Sequence, residues 1–506
     1  MGRSCLSLLL VLALVGLSVG TFSPLKYFVN FDDGSYAYNV STQGAMTMSY
    51  RGDTYTLYNL FLTSGHWLTN TESNTYTQTH WLQFCIPDTI VDPTTAYLWI
   101  DGYTNREYSN PPTSLDTTVS IPCTHSNTLS FGLYQIPNAP VYFTGDASGQ
   151  RRTEDAIIAW TWAHYINNTL EPDWLARMPM TRAGIRAMDA AQQFWDTIRG
   201  SQDGIEQFVV AGASKRGWTT WMVGAMDDPR VVSIVPVVAP IANLIPQMNE
   251  QWQSYNGFSW VLKDYIDLGL MGFLNLPVFE QLLEIIDPLS YRGALSKIAK
   301  YEIGATNDEF FMPDALKFYW DDIPGEKLWR IIPNCDHTIV GHAGDALRSF
   351  TGYIASFKKG TEKPRPVYSW EISEDAMTIT VTATTEGLVK AKVWESKNKK
   401  NRDWRAAKCA TAAPKCANAG AYFTPNNVTE LEPGVFTYTI DPPTDKHYTA
   451  FFIELSYELY DNTPEMVVTS DVAIAPREMP FPPCPDDKCA CGWNCAPGID
   501  YYGDDE

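Results

Sequence analysis

Beyond residues 1–20 the chain has no uninterrupted apolar run of about 20 residues, the length a membrane-spanning helix needs. No membrane insertion is expected. Basic residues are scarce, with 37 Lys and Arg against 58 Asp and Glu and a formal charge of -21. A face for nucleic acid or an anionic membrane needs clustered Lys and Arg, so neither partner is expected. The one basic run, Lys397 to Arg402, is expected to be a solvated hairpin loop. No paired C-x-x-C occurs, which removes a common zinc-ligand spacing, and neither a metal nor a cofactor is expected. Histidine is rare as well. Of seven, only His337, His342 and His447 follow residue 214.

What is present begins with Arg3, an apolar run from Leu8 to Leu17, and small residues at Ser18 and Gly20. That pattern predicts a secretory signal peptide over residues 1–20, cleaved near Thr21, and an extracellular protein. Of 10 cysteines Cys5 falls in the leader, so nine remain, an odd number. Most are expected to form disulfides outside the cell, with Cys335 the buried free thiol. The four from Cys484 to Cys495 read as disulfide partners rather than zinc ligands. Sequons at Asn39, Asn167 and Asn427 are the expected glycosylation sites.

From about Ala96 to Ser356 short apolar strands alternate with amphipathic helices, the signature of a mainly parallel sheet covered on both faces. A helix is expected from Thr181, as N-cap, to the Gly200 stop, with Ile185, Met188, Ala191, Trp195 and Ile198 on one face. Residues from 243 to about 298 interrupt the alternation with Trp- and Met-containing helical segments, read as a cap over the sheet's carboxyl edge. A stiff linker, Lys363-Pro364-Arg365-Pro366, then leads into half-buried alternating strands. The expected organisation is a signal peptide over 1–20, an α/β domain over 21–363 with its cap near 243–298, a β-sandwich over 364–477, and a Cys-rich acidic tail over 478–506.

Gly212-Ala213-Ser214-Lys215-Arg216-Gly217 joins a buried strand to a helix. That is the setting of a nucleophile elbow, where a strained serine lifts its hydroxyl above the sheet and its neighbours must be small. A serine nucleophile needs a base to take its proton and an acid to orient the base. In an α/β-hydrolase fold these follow later strands in the order Ser, Asp or Glu, His. Gly304-Ala305-Thr306-Asn307-Asp308 follows one strand and offers Asp308, with Glu309 and Asp336 as substitutes. Pro333-Asn334-Cys335-Asp336-His337 follows the last strand and offers His337. His342 opens the final helix and His447 lies in the β-domain, which leaves His337 as the base. Singly, each residue is equally an ordinary loop or cap residue; jointly, their order points to acyl transfer. Oxyanion donors are expected from the Lys215 N–H and from Gly102 or Tyr103, in the loop after an early strand.

The elbow departs from G-x-S-x-G, its second glycine standing one position later at Gly217. This form resembles the G-x-S-[RK]-x-G turn of certain carbohydrate esterases, which implies that the basic residue after the serine assists the oxyanion. Longer blocks carry a broader resemblance: Glu154 to Trp162, Met178 to Thr181, Ala187 to Asp189, Gly212 to Trp218, Asp308 to Phe311, Phe318 to Asp322, Pro324 to Lys327, and Pro333-Asn334 with Asp336-His337. With them the chain resembles the PhoPQ-activated pathogenicity-related protein family over almost all of its mature length. The resemblance implies an α/β-hydrolase core with an appended β-sandwich, and it assigns no role to the four-cysteine tail. Trp160, Trp162, Trp218 and Trp320 fall in these blocks; they are candidates to line a substrate cleft, but aromatic residues near an elbow are more often core, and the core is the expected place.

The expected function is a secreted serine hydrolase of a small ester or peptide, with the elbow chemistry favouring an ester. Relatives in social amoebae that repress proliferation imply an alternative, a secreted signal that binds a cell-surface receptor through a catalytically silent hydrolase fold. Labelling of Ser214 by an active-site probe separates the two.

Overall fold

The computed structural model describes residues 22–106, 109–199, 204–358, 364–399, 401–409, 416–418, 421–444, 447–459 and 465–484. The expected signal peptide, the expected helix stop at Gly200, Lys363, Lys400, and Cys489, Cys491 and Cys495 of the tail lie outside them. Among the described residues no helix is long and apolar enough to cross a membrane.

A sheet of ten strands organises the first two thirds of the chain. The strands are β1 (Ala37–Val40), β2 (Met46–Tyr50), β3 (Asp53–His66), β4 (Thr77–Pro87), β5 (Thr95–Ile100), β6 (Leu129–Leu133), β7 (Gln207–Ala213), β8 (Val231–Val237), β9 (Ala299–Ala305) and β10 (Lys327–Ile332). Their spatial order is β1-β3-β4-β6-β5-β7-β8-β9-β10, with β2 paired to β3. From β6 through β10 every pairing is parallel, whereas β1 to β4 form antiparallel ladders at the other edge. The central parallel strands are apolar along their length because helices cover both faces, so no polar face is called for.

The alternation read from the sequence begins at Ala96; the structure adds the four antiparallel strands before it. Helix Arg177–Arg199 starts four residues earlier than expected. Thr181 is therefore inside the helix rather than its N-cap, and its hydroxyl donates to the Arg177 carbonyl. Pro179 is tolerated because a first-turn N–H has no helical acceptor. Ile198, expected on the buried face, is 36% exposed at the helix end.

Between β8 and β9 the chain makes helices Leu244–Tyr255, Lys263–Asp267, Pro277–Ile286 and Arg292–Leu295, with 3-10 turns between them. After helix Ala343–Ala355 come two antiparallel sheets. One holds Tyr368–Ile372, Thr378–Ala383, Val435–Thr439 and Thr429–Glu432; the other holds Thr424–Asn426, Leu388–Lys399, His447–Tyr457, Met466–Thr469 and Ala473–Ala475. Ile379, Val381 and Phe436 of the first share a core with Val393, Phe451 and Ile453 of the second.

The expected solvated hairpin at Lys397 to Arg402 is corrected by the structure. Lys397 to Lys399 continue strand Leu388–Lys399, and Arg402 is 3% exposed, ion-paired with Glu250 and Asp314. Two buried carboxylates draw this cation inward because their own burial is tolerable only when paired. Cys85 and Cys123 form a disulfide, Cys484 is disulfide-bonded, and Cys335 is a free, buried thiol. Asn39, Asn167 and Asn427 are all exposed.

Candidate active site

Ser214 stands between β7 and helix Lys215–Ala225 with φ +55° and ψ -125°. A non-glycine residue pays for such a backbone only where its surroundings hold it there. The Ser214 N–H donates to Val237 O of β8 at 2.8 Å, and the glycines on either side allow the close approach. A Cβ on Gly212 would lie 2.8 Å from the Arg216 carbonyl oxygen, and one on Gly217 would lie 2.7 Å from the Ala239 Cβ. Gly217 thus does the steric work of the second glycine from its displaced position.

Asp308 follows β9 and His337 follows β10, and the two loops bring both to Ser214. His337 Nε2 is 2.7 Å from Ser214 Oγ. Its Nδ1 is 2.9 and 2.8 Å from the two Asp308 oxygens. Asp308 Oδ1 also accepts from the N–H groups of Phe310 and Phe311, at 2.7 and 3.2 Å, which fixes the carboxylate. An acceptor-only partner at Nδ1 keeps the ring proton there and leaves Nε2 to accept from the serine hydroxyl. Neither substitute acid reaches the ring. Glu309 accepts the His337 backbone N–H at 3.2 Å, and Asp336 accepts from Thr338. Burial raises the Glu309 carboxyl above its ordinary range.

Two asparagines in these loops tie them to the chain beyond residue 400. Asn307 Nδ2 donates to Trp404 O at 2.6 Å, and Asn334 exchanges two hydrogen bonds with the Phe423 backbone, at 2.9 and 2.7 Å.

The oxyanion expectation is met differently by its three residues. Lys215 lines the cavity beside Ser214, but Gly102 and Tyr103 are not among the lining residues. The Gly102 N–H donates to Asp101 Oδ1 at 2.6 Å, and the glycine backs onto the Arg216 guanidinium. Tyr103 takes φ +75° and directs its hydroxyl to Asp116. The Lys215 ammonium bridges Glu154 and Asp155 at 3.0 and 2.9 Å, so it is a fixed charge beside the elbow. Arg216 grips Glu154 with two nitrogens, at 2.7 and 2.6 Å. Burial alone would raise the Glu154 carboxyl, but Arg216 and Lys215 bring it down to about 2.

The cavity is narrow and is walled by apolar chains from the core and from the segment between β8 and β9, among them Trp162, Trp218, Leu244, Met248, Phe279 and Phe310. Of the four tryptophans expected in the core, Trp162 and Trp218 reach this cavity. Trp160 instead stacks on Phe143, and Trp320 packs against Trp370. Sequence reasoning also missed Asp155 and Arg177 as lining residues. Asp155 sits in the Glu154 to Trp162 block, which was a signal; Arg177 precedes its block and gave none.

A parallel sheet with an antiparallel start, a strained serine after β7, and acid and base loops after β9 and β10 define an α/β-hydrolase fold. The chain belongs to the PhoPQ-activated pathogenicity-related protein family, whose sequence model matches residues 25–405. It is 39% identical over 503 residues to autocrine proliferation repressor protein A of Dictyostelium discoideum, across 96% of this chain and 97% of that one. Among solved structures it is similar to acetyl xylan esterase 1 from Thermoanaerobacterium sp., at 13% identity over 65% of this chain and 93% of that one, with a TM-score of 0.41. A glucuronoyl esterase from Solibacter usitatus matches at 13% identity over 65% and 88% of the two chains, with a TM-score of 0.39. Likenesses this distant say nothing of substrate or activity.

Proposed function

We propose that the protein is a secreted serine hydrolase in which Ser214 attacks a carbonyl, His337 takes and returns the proton, and Asp308 orients His337. The observation that carries this reading is the continuous hydrogen-bonded chain from Ser214 Oγ through His337 to Asp308, opening on an apolar cavity. As Oγ bonds to the carbonyl carbon, its proton passes to Nε2, and the imidazolium is stabilised by Asp308. Collapse of the tetrahedral intermediate expels the leaving group, protonated by His337, and leaves an acyl-serine. Water, activated by the same base, then releases the acid. The N–H of Lys215 is the first oxyanion donor. The second is sought in the loop after β5, from Gly102 or Tyr103, neither of which lines the cavity as it stands. An ester is the favoured substrate, since the elbow is that of esterases.

The test is labelling with a fluorophosphonate probe and mapping of the modified residue. Label on Ser214, lost in Ser214→Ala and His337→Ala proteins that remain folded, is expected; equal labelling of wild type and Ser214→Ala would overturn the reading. A second reading is favoured by the relative named as an autocrine proliferation repressor. In it the protein is an extracellular factor that acts on cells through a receptor. Folded Ser214→Ala protein added to responsive cells distinguishes them, because receptor binding through an outer face does not need the hydroxyl.

A further inference from the structure

The cavity beside Ser214 is apolar, yet it contains a guanidinium. Arg177, at the start of helix Arg177–Arg199, is 1% exposed and lines the cavity together with Ser214 and Lys215. Its Nη1 is engaged, donating to the Lys215 carbonyl at 2.7 Å and to Thr219 Oγ1 at 3.2 Å. Trp218 covers the guanidinium plane, 4.5 Å from its ring centroid. Nε and Nη2 are buried and have no hydrogen-bond partner among the described residues, so a ligand group pairs with them only as the surrounding apolar chains shift aside.

The nearby acids do not neutralise Arg177. Glu154 binds Arg216 with one oxygen and both Arg216 and Lys215 with the other. Asp155 gives one oxygen to Lys215 and the other to the Tyr265 hydroxyl, at 3.2 Å. Three cations therefore share two carboxylates, and the cation left without a close carboxylate is the one on the cavity wall. Burial lowers the Arg177 guanidinium to about 10, which still leaves it charged at neutral pH. A buried cation without a counter-ion is unfavourable, and an anion brought by a ligand would relieve it. The two unpartnered nitrogens, Nε and Nη2, form the side of the guanidinium whose parallel N–H groups match the two oxygens of a carboxylate.

We propose that Arg177 binds a carboxylate on the substrate, so that the preferred substrates are esters whose acyl chain is apolar and carries a second, free carboxylate. This rests on Ser214 being the nucleophile. The apolar walls select the methylene chain, and Arg177 rewards the charge at its end. A neutral chain of equal length fills the same walls but leaves the guanidinium unpaired.

The experiment compares p-nitrophenyl monoesters of succinic, glutaric and adipic acid with neutral esters in which a methyl group replaces the free carboxylate. Wild type is expected to favour at least one anionic ester by about tenfold or more in kcat/KM, as a buried polar group left unpaired by the wrong ligand discriminates strongly. Arg177→Met, with a thermal melt confirming its fold, is expected to bring the ratio of kcat/KM for anionic to neutral esters down to within about threefold of one. Arg177→Lys keeps the charge without the fork and is expected to fall between. Should Arg177→Met not fold, wild type alone suffices: hexanoate, and not hexanol, is expected to slow fluorophosphonate labelling of Ser214. Label on Ser214 with no preference for anionic esters and no protection by hexanoate overturns the carboxylate site alone. Equal losses on both ester series in a folded Arg177→Met also overturn it, because they mark a purely structural contact with the elbow. Absence of label on Ser214 overturns the nucleophile and this proposal together.

Discussion

Arg402 and Glu250, 152 positions apart, form a buried ion pair that joins the C-terminal region to helix Leu244–Tyr255 of the cavity wall. Asp314 receives the other arm of the guanidinium, and Lys317 reaches both acids at 2.5 and 2.6 Å. Removing Arg402 leaves two buried carboxylates with one partly exposed lysine. Arg402→Ala is expected to lower unfolding stability by about 3–5 kcal/mol, the usual cost of breaking a buried pair from one side. Urea denaturation checks this, and a loss below about 1 kcal/mol would mean that solvent reaches the cluster.

Asp471 lies near that cluster, and burial together with the charge of Asp314 raises its carboxyl to about 8. A carboxyl raised in the folded state holds its proton where the unfolded chain, near 3.9, has released it. Stability from this group is therefore present at low pH and is lost as pH rises from about 4 to about 8. Asp471→Asn has no proton to lose, so its stability should fall less steeply than that of wild type between pH 5 and pH 8. Parallel slopes for the two proteins in urea titrations at several pH values would refute the assignment.

Asp308→Asn is expected to reduce hydrolysis by about 10⁴-fold, because an amide at Nδ1 permits the wrong histidine tautomer while preserving shape. Asp336→Asn, whose carboxylate is turned to Thr338, should change the rate by no more than a few-fold. Steady-state rates on one p-nitrophenyl ester compare them directly. Equal losses would show that the orienting acid had been misassigned.

Gly212→Ala places a methyl group against the Arg216 carbonyl, which is backbone and cannot swing aside. A loss of about 1–3 kcal/mol is expected from overpacking of this kind. Probe labelling of the folded fraction should slow as well, since the same shift displaces Ser214. Unchanged labelling together with unchanged stability would show that the turn has room to spare.

The parallel half of the sheet was legible because strands buried on both faces read as apolar runs between amphipathic helices, and because Ser214, Asp308 and His337 each follow one of them. The antiparallel start was not. β3 is 14 residues long, but its burial alternates only in part, and β1 and β2 are short and contain no fully buried residue. Thr181 misled because a threonine before an apolar face fits an N-cap, whereas the helix already begins at Arg177 and the Thr181 hydroxyl bonds back to its carbonyl. Arg402 misled for the opposite reason: a basic run reads as solvated unless its distant acids are known. The same long-range pairing hid Arg177. Its place on the cavity wall depends on Lys215 and Trp218, which the fold alone brings near.

Asn307 and Asn334 have a consequence for any shortened version of this chain. The serine turn is held by strands and a helix encoded before residue 240, whereas the loops carrying Asp308 and His337 are tied to backbone atoms of Trp404 and Phe423. A fragment ending at residue 363 would keep all three side chains in its sequence yet lack the atoms that hold two of them in register. The chain beyond residue 363 thus helps to build the proposed reactive centre from outside the domain that carries Ser214, Asp308 and His337, and its removal is expected to disarm that centre without touching any of the three.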